Sequence, residues 1–208
     1  MSLHTFVLFM LASLSLNLIP GPDVIYIVSN MLKGSRKSAI KAACGLGCGY
    51  MVHTLAACIG LSALIVSSAL AFTMIKWLGA AYLLWLGIKS LIAMYQGQSR
   101  LDLAGTDKAV GNVFYQGIVV SVLNPKVALF FLSFLPQFIS AESTHISAQL
   151  LVLGVAFSVL ATLVNLLYAF VGSAVLNGTK AVKINRVMQG ISGVLLVGLA
   201  GKIVMSKS

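Results

Sequence analysis

The chain has 208 residues, 59% of them hydrophobic and 9% charged, with a mean hydropathy of +1.01. A soluble domain carries about 25% charged residues, so the composition excludes one and points to a polytopic helical membrane protein. The net charge of +10 does not mark a nucleic-acid-binding face, because the basic residues fall in short clusters between apolar runs and describe topology instead.

The first apolar run, about 3–32, has no Lys or Arg ahead of it and no small-residue cleavage site, so it is read as a retained span. Pro20, Gly21 and Pro22 interrupt it. Pro20 cannot donate to the carbonyl of Leu16, nor Pro22 to that of Leu18, so the helix breaks and carbonyl oxygens lose their backbone partners. In lipid such backbone is tolerated only against protein or a water-filled cavity. Asp23, one of only four acidic residues, follows at once. It stands about ten residues before Lys33 at the membrane rim, so at 1.5 Å per residue it lies roughly 15 Å deep, near the midplane.

The second and third spans share the run from Ala42 to Ile88, with a turn expected near Ser67 to Thr73. Gly45 and Gly49, then Ala56 and Gly60, repeat a spacing of four that suits close helix packing. Cys44, Cys48 and Cys58 are read as small packing residues, since no acidic or further Cys ligand accompanies them as a metal site requires. His53 is either a proton-relay group or a core histidine donating to a carbonyl. Trp77 and Tyr95 suit the interfacial belts, whereas Trp85, about two turns deeper, is read as packing.

The polar segment at about 96–111 holds no phosphate loop, nucleotide signature or metal spacing, so no cofactor, metal or nucleic-acid partner is expected. A fourth run, about 112–138, is broken in "SVLNPKVALF": Pro125 frees the carbonyl of Ser121, and Lys126 follows. Pro136 bounds it. Residues 146–173 make a fifth run and 182–205 a sixth.

The expected fold is an all-α integral membrane protein, one transmembrane domain over 1–208 with six helices. It reads as two inverted three-helix repeats, about 1–95 and 112–208, joined by the linker, with Pro-broken first and fourth helices. Each half opens on a broken helix and carries glycines eight apart, Gly79 and Gly87, then Gly190 and Gly198. Three spans per half turn the second half upside down, as in many secondary transporters. Lys33, Arg36, Lys37, Lys41, Lys89, Arg100, Lys108, Lys180, Lys183 and Arg186 fall on one side, against Lys76, Lys202 and Lys207 on the other. The basic side is cytoplasmic, which leaves both termini outside.

Pro22-Asp23 and Pro125-Lys126 place opposite charges at equivalent points of the two halves. A lone buried charge costs several kcal/mol, so the two are expected to approach one another or share a ligand. A structural salt bridge satisfies that expectation. So does a polar site in which an acid, a lysine and helix ends receive the ammonium and carboxylate of an amino acid. Asn17, Asn124, Gln116, Asn165 and Tyr168 lie at similar depth and supply neutral hydrogen bonds to a ligand or between helices. Beyond Cys44, Cys48 and His53 the sequence offers no nucleophile or metal cluster, which argues against a membrane enzyme. A channel or structural subunit without proton coupling is the alternative to a transporter, and the packing glycines permit a homodimer.

Taken in order, "LIPGPD", "GSRKSAIKAACGLGCGYMVHTLAACIGL", "KWLGAAYLLWLGIKSL" and "LNPKVALFFLSFLPQF" resemble the lysine, threonine and homoserine exporter family over about residues 13–205. The resemblance implies a bacterial inner-membrane exporter that removes amino acids or related small metabolites from the cytoplasm, driven by protons. The family's first signature falls on Pro20, Gly21 and Pro22 and its second on Asn124, Pro125 and Lys126. Asp23 matches the acidic variant found in part of the family. Ile19 departs from the small polar residue that commonly opens the first signature.

Overall fold

A computed structural model describes residues 2–63, 69–96, 112–139, 145–176 and 179–205, and every described element is helical. Helix α1, Leu3–Leu18, ends where Pro20 removes the next donor, and α2, Pro22–Lys33, starts afresh with Pro22 in its first turn and Gly21 as its N-cap. The two are bent by 51°. Helix α3, Arg36–Ala56, is capped by the Ser35 hydroxyl and runs on through a π turn, Ala57–Leu61. Helix α4 spans Ala69–Gln96.

The second break has the same plan. Helix α5, Val113–Val122, stops before Asn124, whose side chain caps α6, Pro125–Leu129, by accepting from the Lys126 amide. A π turn, Phe130–Phe134, and a 3-10 turn, Leu135–Phe138, prolong α6, and this broken pair is bent by 47°. Helix α7 covers Ile146–Leu176 and α8 Thr179–Met205.

Two helices, Arg36–Leu61 and Ile146–Phe170, are long and apolar enough to cross a membrane, and the two bent pairs raise the number of candidate spans to four. The expected turn near Ser67 to Thr73 does not extend over Ala69–Thr73. Ala69–Thr73 already belong to α4, because "ALAF" contains no helix breaker, and 64–68 lie outside the described residues. So does the linker from 97 to 111.

Glycines set the closest contacts. A Cβ on Gly45 would stand 2.1 Å from the Phe114 carbonyl oxygen and one on Gly49 would stand 2.4 Å from the Ser121 Cβ, so α3 and α5 lie nearly backbone to backbone and run parallel. Thr54 meets Gly154 and Gly47 meets Thr162, which makes α7 antiparallel to α3. Gly87 packs on Gly193 and Ser90 donates to the Gln189 carbonyl, tying α4 antiparallel to α8. Gly60 departs from the expected packing, since nothing stands within 4 Å of an added Cβ there, and Gly198 is equally open.

Two further expectations change. Cys44 and Cys48 are exposed on the outer side of α3, since its inner faces are occupied by Gly45 and Gly49 against α5 and by Gly47 against α7. Trp85 is 50% exposed and stacks on Tyr82 with Lys89 over its ring, because α4 turns Gly87 and Ser90 to α8 instead. Trp77 and Tyr95 are exposed, as belt residues are.

Candidate functional site

Asp23 and Lys126 are both buried, 3% and 9% exposed, at the start of the two helices that follow the breaks. Their hydrogen bonds go to different partners. Asp23 Oδ1 accepts from Asn124 Nδ2 at 2.6 Å, and Oδ2 accepts from the Tyr50 hydroxyl at 2.5 Å. Tyr50 in turn accepts from Asn165 Nδ2 at 2.8 Å, so α2, α3, α6 and α7 meet at one carboxylate. The position in the first turn of α2 adds the favourable end of a helix dipole to these two donors.

Lys126 Nζ donates to the carbonyls of Leu16, 3.2 Å, and Ile19, 3.0 Å. These are oxygens at the end of α1, where missing amide donors leave acceptors open and where a cation is favoured. The Tyr168 hydroxyl donates to the Leu18 carbonyl at 3.4 Å. The carbonyls released by Pro20 and Pro22, of Leu16 and Leu18, thus find side-chain donors from the second half of the chain. Gly21 leaves room for this: a Cβ there would lie 3.2 Å from Lys126 Nζ.

Asn124 ties the start of α6 to the acid. Its Oδ1 accepts from the Lys126 amide at 3.0 Å while its Nδ2 donates to Asp23. Asn17 instead turns back to the Ser13 carbonyl of its own helix at 2.7 Å. Gln116 accepts from the Tyr26 hydroxyl at 3.3 Å, and Tyr26 also donates to the Val113 carbonyl at 2.7 Å, closing α2 on α5 about one turn from Asp23. His53 Nε2 contacts the Ser121 carbonyl at 3.2 Å. A carbonyl only accepts, so this nitrogen carries a proton, which is the core-histidine geometry. Among the described residues no three His, Cys, Asp or Glu side chains come together as metal ligands.

Tyr50 is the residue that sequence reasoning passed over. Its one sequence signal is a hydroxyl among small and apolar neighbours, since a buried phenol needs a partner.

On one side of the charges stands an aromatic layer. Phe130 contacts Phe157 with ring centroids 4.6 Å apart and Phe134 at 4.8 Å, and Phe138 meets Phe9 at 5.2 Å. Phe157 packs edge-on against Tyr50 at 5.7 Å. The Tyr26 contact lies on the other side, toward Lys33.

Residues 14–207 match the family model described as LysE type translocator. The chain belongs to this family. An uncharacterized membrane protein of Bacillus subtilis, YrhP, is 31% identical, over 98% of this chain and all of that protein. The leucine efflux proteins of Salmonella typhimurium and Salmonella typhi are each 30% identical, over 96% of this chain and 94% of theirs. No solved structure matches. A LysE type translocator moves its cargo without altering it, so the chain is a multi-pass membrane transporter and not an enzyme.

Proposed function

We propose that the chain is a proton-coupled secondary exporter of amino acids or closely related small metabolites from the cytoplasm, working by alternating access. The observation that carries this reading is a pair of opposite buried charges, each held by neutral groups at a helix break and not locked to the other. An amino acid's ammonium replaces the donors on Asp23, and its carboxylate replaces the carbonyls on Lys126. Both exchanges substitute a charged partner for a neutral one, and charge-assisted bonds are the stronger class. The leucine efflux relatives make leucine the first substrate to try.

The same reading takes the chain as six spans in two inverted repeats, crossing a bacterial inner membrane with both termini outside. The two breaks, bent by 51° and 47°, support it, as do the directions of the helices around them. Alpha-helix α1 packs on α8 while the Phe130–Phe134 turn packs on α4, so each broken helix meets the third helix of the other half. The aromatic layer then closes the outer path and the Tyr26 contact the inner one, and opening one while the other holds gives alternating access.

Export from loaded vesicles tests the site. Asp23→Asn and Lys126→Ala are each expected to lower proton-driven leucine export at least about tenfold at normal expression, the scale of a lost bond to a charged group. Normal export by both variants would place the site elsewhere. Uncoupled conductance in the wild type would favour a channel.

A further inference from the structure

The chain of hydrogen bonds through Tyr50 has a direction. Asn165 donates to Tyr50, and Tyr50 donates to Asp23. Asn124 donates to the other carboxylate oxygen. An ionised carboxylate only accepts, and both oxygens are met by donors, so the arrangement fits the charged form of Asp23. A proton on either oxygen confronts a donor. On Oδ1 it opposes the Asn124 amide, whose reversal would give up the cap on the Lys126 amide. On Oδ2 it turns the carboxyl into a donor toward Tyr50, whose oxygen already accepts from Asn165.

The second route is the cheaper one, because it leaves the α6 cap intact. The phenol then accepts from Asp23 and must aim its own hydrogen at Asn165, which cannot receive it without turning its amide. We infer that Tyr50 and Asn165 are positioning residues that report the protonation of Asp23 to α7, so that proton uptake loosens the joint between α3 and α7. This rests on the proposed proton-coupled export, with Asp23 taking up the proton or, in exchange for it, the substrate ammonium. The groups around that carboxylate agree with the assignment: Tyr50 faces it from α3, Asn124 from the N-cap of α6, and Asn165 reaches it from α7 through Tyr50, while the Lys126 ammonium is turned to the Leu16 and Ile19 carbonyls. Tyr168, also on α7, is held by the Leu18 carbonyl, and His53, one turn beyond Tyr50, by that of Ser121. Neither is placed to take over the relay. Its proton enters from outside, sits on Asp23 and leaves to the cytoplasm, and nothing else is gained or lost.

The test uses the full chain in vesicles with leucine as probe, measuring exchange at equal pH on both sides and export driven by a pH gradient. Tyr50→Phe removes only the hydroxyl and keeps the ring on Phe157. It is expected to lose about tenfold in gradient-driven stimulation, taken as the ratio of gradient-driven export to exchange at equal pH in the same variant, and to flatten the pH profile, the size of one bond to a charged group. Asn165→Leu should shift the profile the same way, and it carries the test if the first variant does not reach the membrane. Unchanged stimulation and pH profile in both variants overturn the relay, as does equal loss of exchange and coupling, which would make Tyr50 part of the site's frame alone. Asp23→Asn separates the two levels. If it too keeps full coupling the proposed site fails, and if it uncouples while Tyr50→Phe does not, only the relay fails.

Discussion

At the scale of single residues, the arrangement around the two charges is not a salt bridge with interchangeable ends. Lys126 sits on carbonyl oxygens and Asp23 on an amide and a phenol hydroxyl, so each pocket has its own polarity. Inverting the charges would set a carboxylate against the Leu16 and Ile19 carbonyls and an ammonium against two donors. The double variant Asp23→Lys with Lys126→Asp is therefore expected to stay at least about tenfold below wild-type export at normal expression, since two charges would be left buried without partners. Recovery of export by the double variant would show a simple ion pair. Asn124, read from the sequence beside its proline, bonds the buried Asp23. Asn17 and Gln116, of the same polar character and similar depth, instead bond Ser13 and Tyr26, because side-chain direction decides the partner.

At the scale of elements, the glycine spacing on α3 separates into two kinds of position. Gly45 faces the backbone of α5, where a Cβ would meet the Phe114 carbonyl oxygen at 2.1 Å, and backbone cannot step aside as a side chain does. Gly45→Ala should lower stability by about 1–3 kcal/mol or more, read as an earlier thermal unfolding midpoint in detergent. Gly60 belongs to the same repeated spacing but faces open space, so Gly60→Ala should stay within about 1 kcal/mol of wild type. A four-residue spacing marks one helix face without saying which part of it a neighbour covers.

At the scale of the whole molecule, the charge asymmetry along the chain and the helix directions in the fold are independent supports for the proposed six-span topology. The α3 helix runs parallel to α5 and antiparallel to α7, and α4 runs antiparallel to α8, as the proposed succession of crossings would require. On the proposed topology, with the basic loops in the cytoplasm, the exposed Ser2 would lie outside and the exposed Ser35 inside. In a background with Cys44, Cys48 and Cys58 replaced by Ser, a membrane-impermeant maleimide should label Ser2→Cys in intact spheroplasts. Ser35→Cys should react only after lysis. The opposite pattern would invert the topology.

The amino-acid sequence by itself determined the class of molecule, the two helix breaks and the presence of opposite charges beside them. Those follow from local physics: the apolar runs, the donor that proline lacks, and the cost of an ionisable group in lipid. The partners of the charges were decided only by the tertiary structure. Tyr50 reaches Asp23 across 27 residues of sequence, Asn124 across 101, and Asn165 meets Tyr50 across 115. Nothing local specifies such contacts. They form because helices brought together at Gly45, Gly49 and Gly154 leave particular side chains facing one another, and a buried polar atom takes the nearest partner the packing provides.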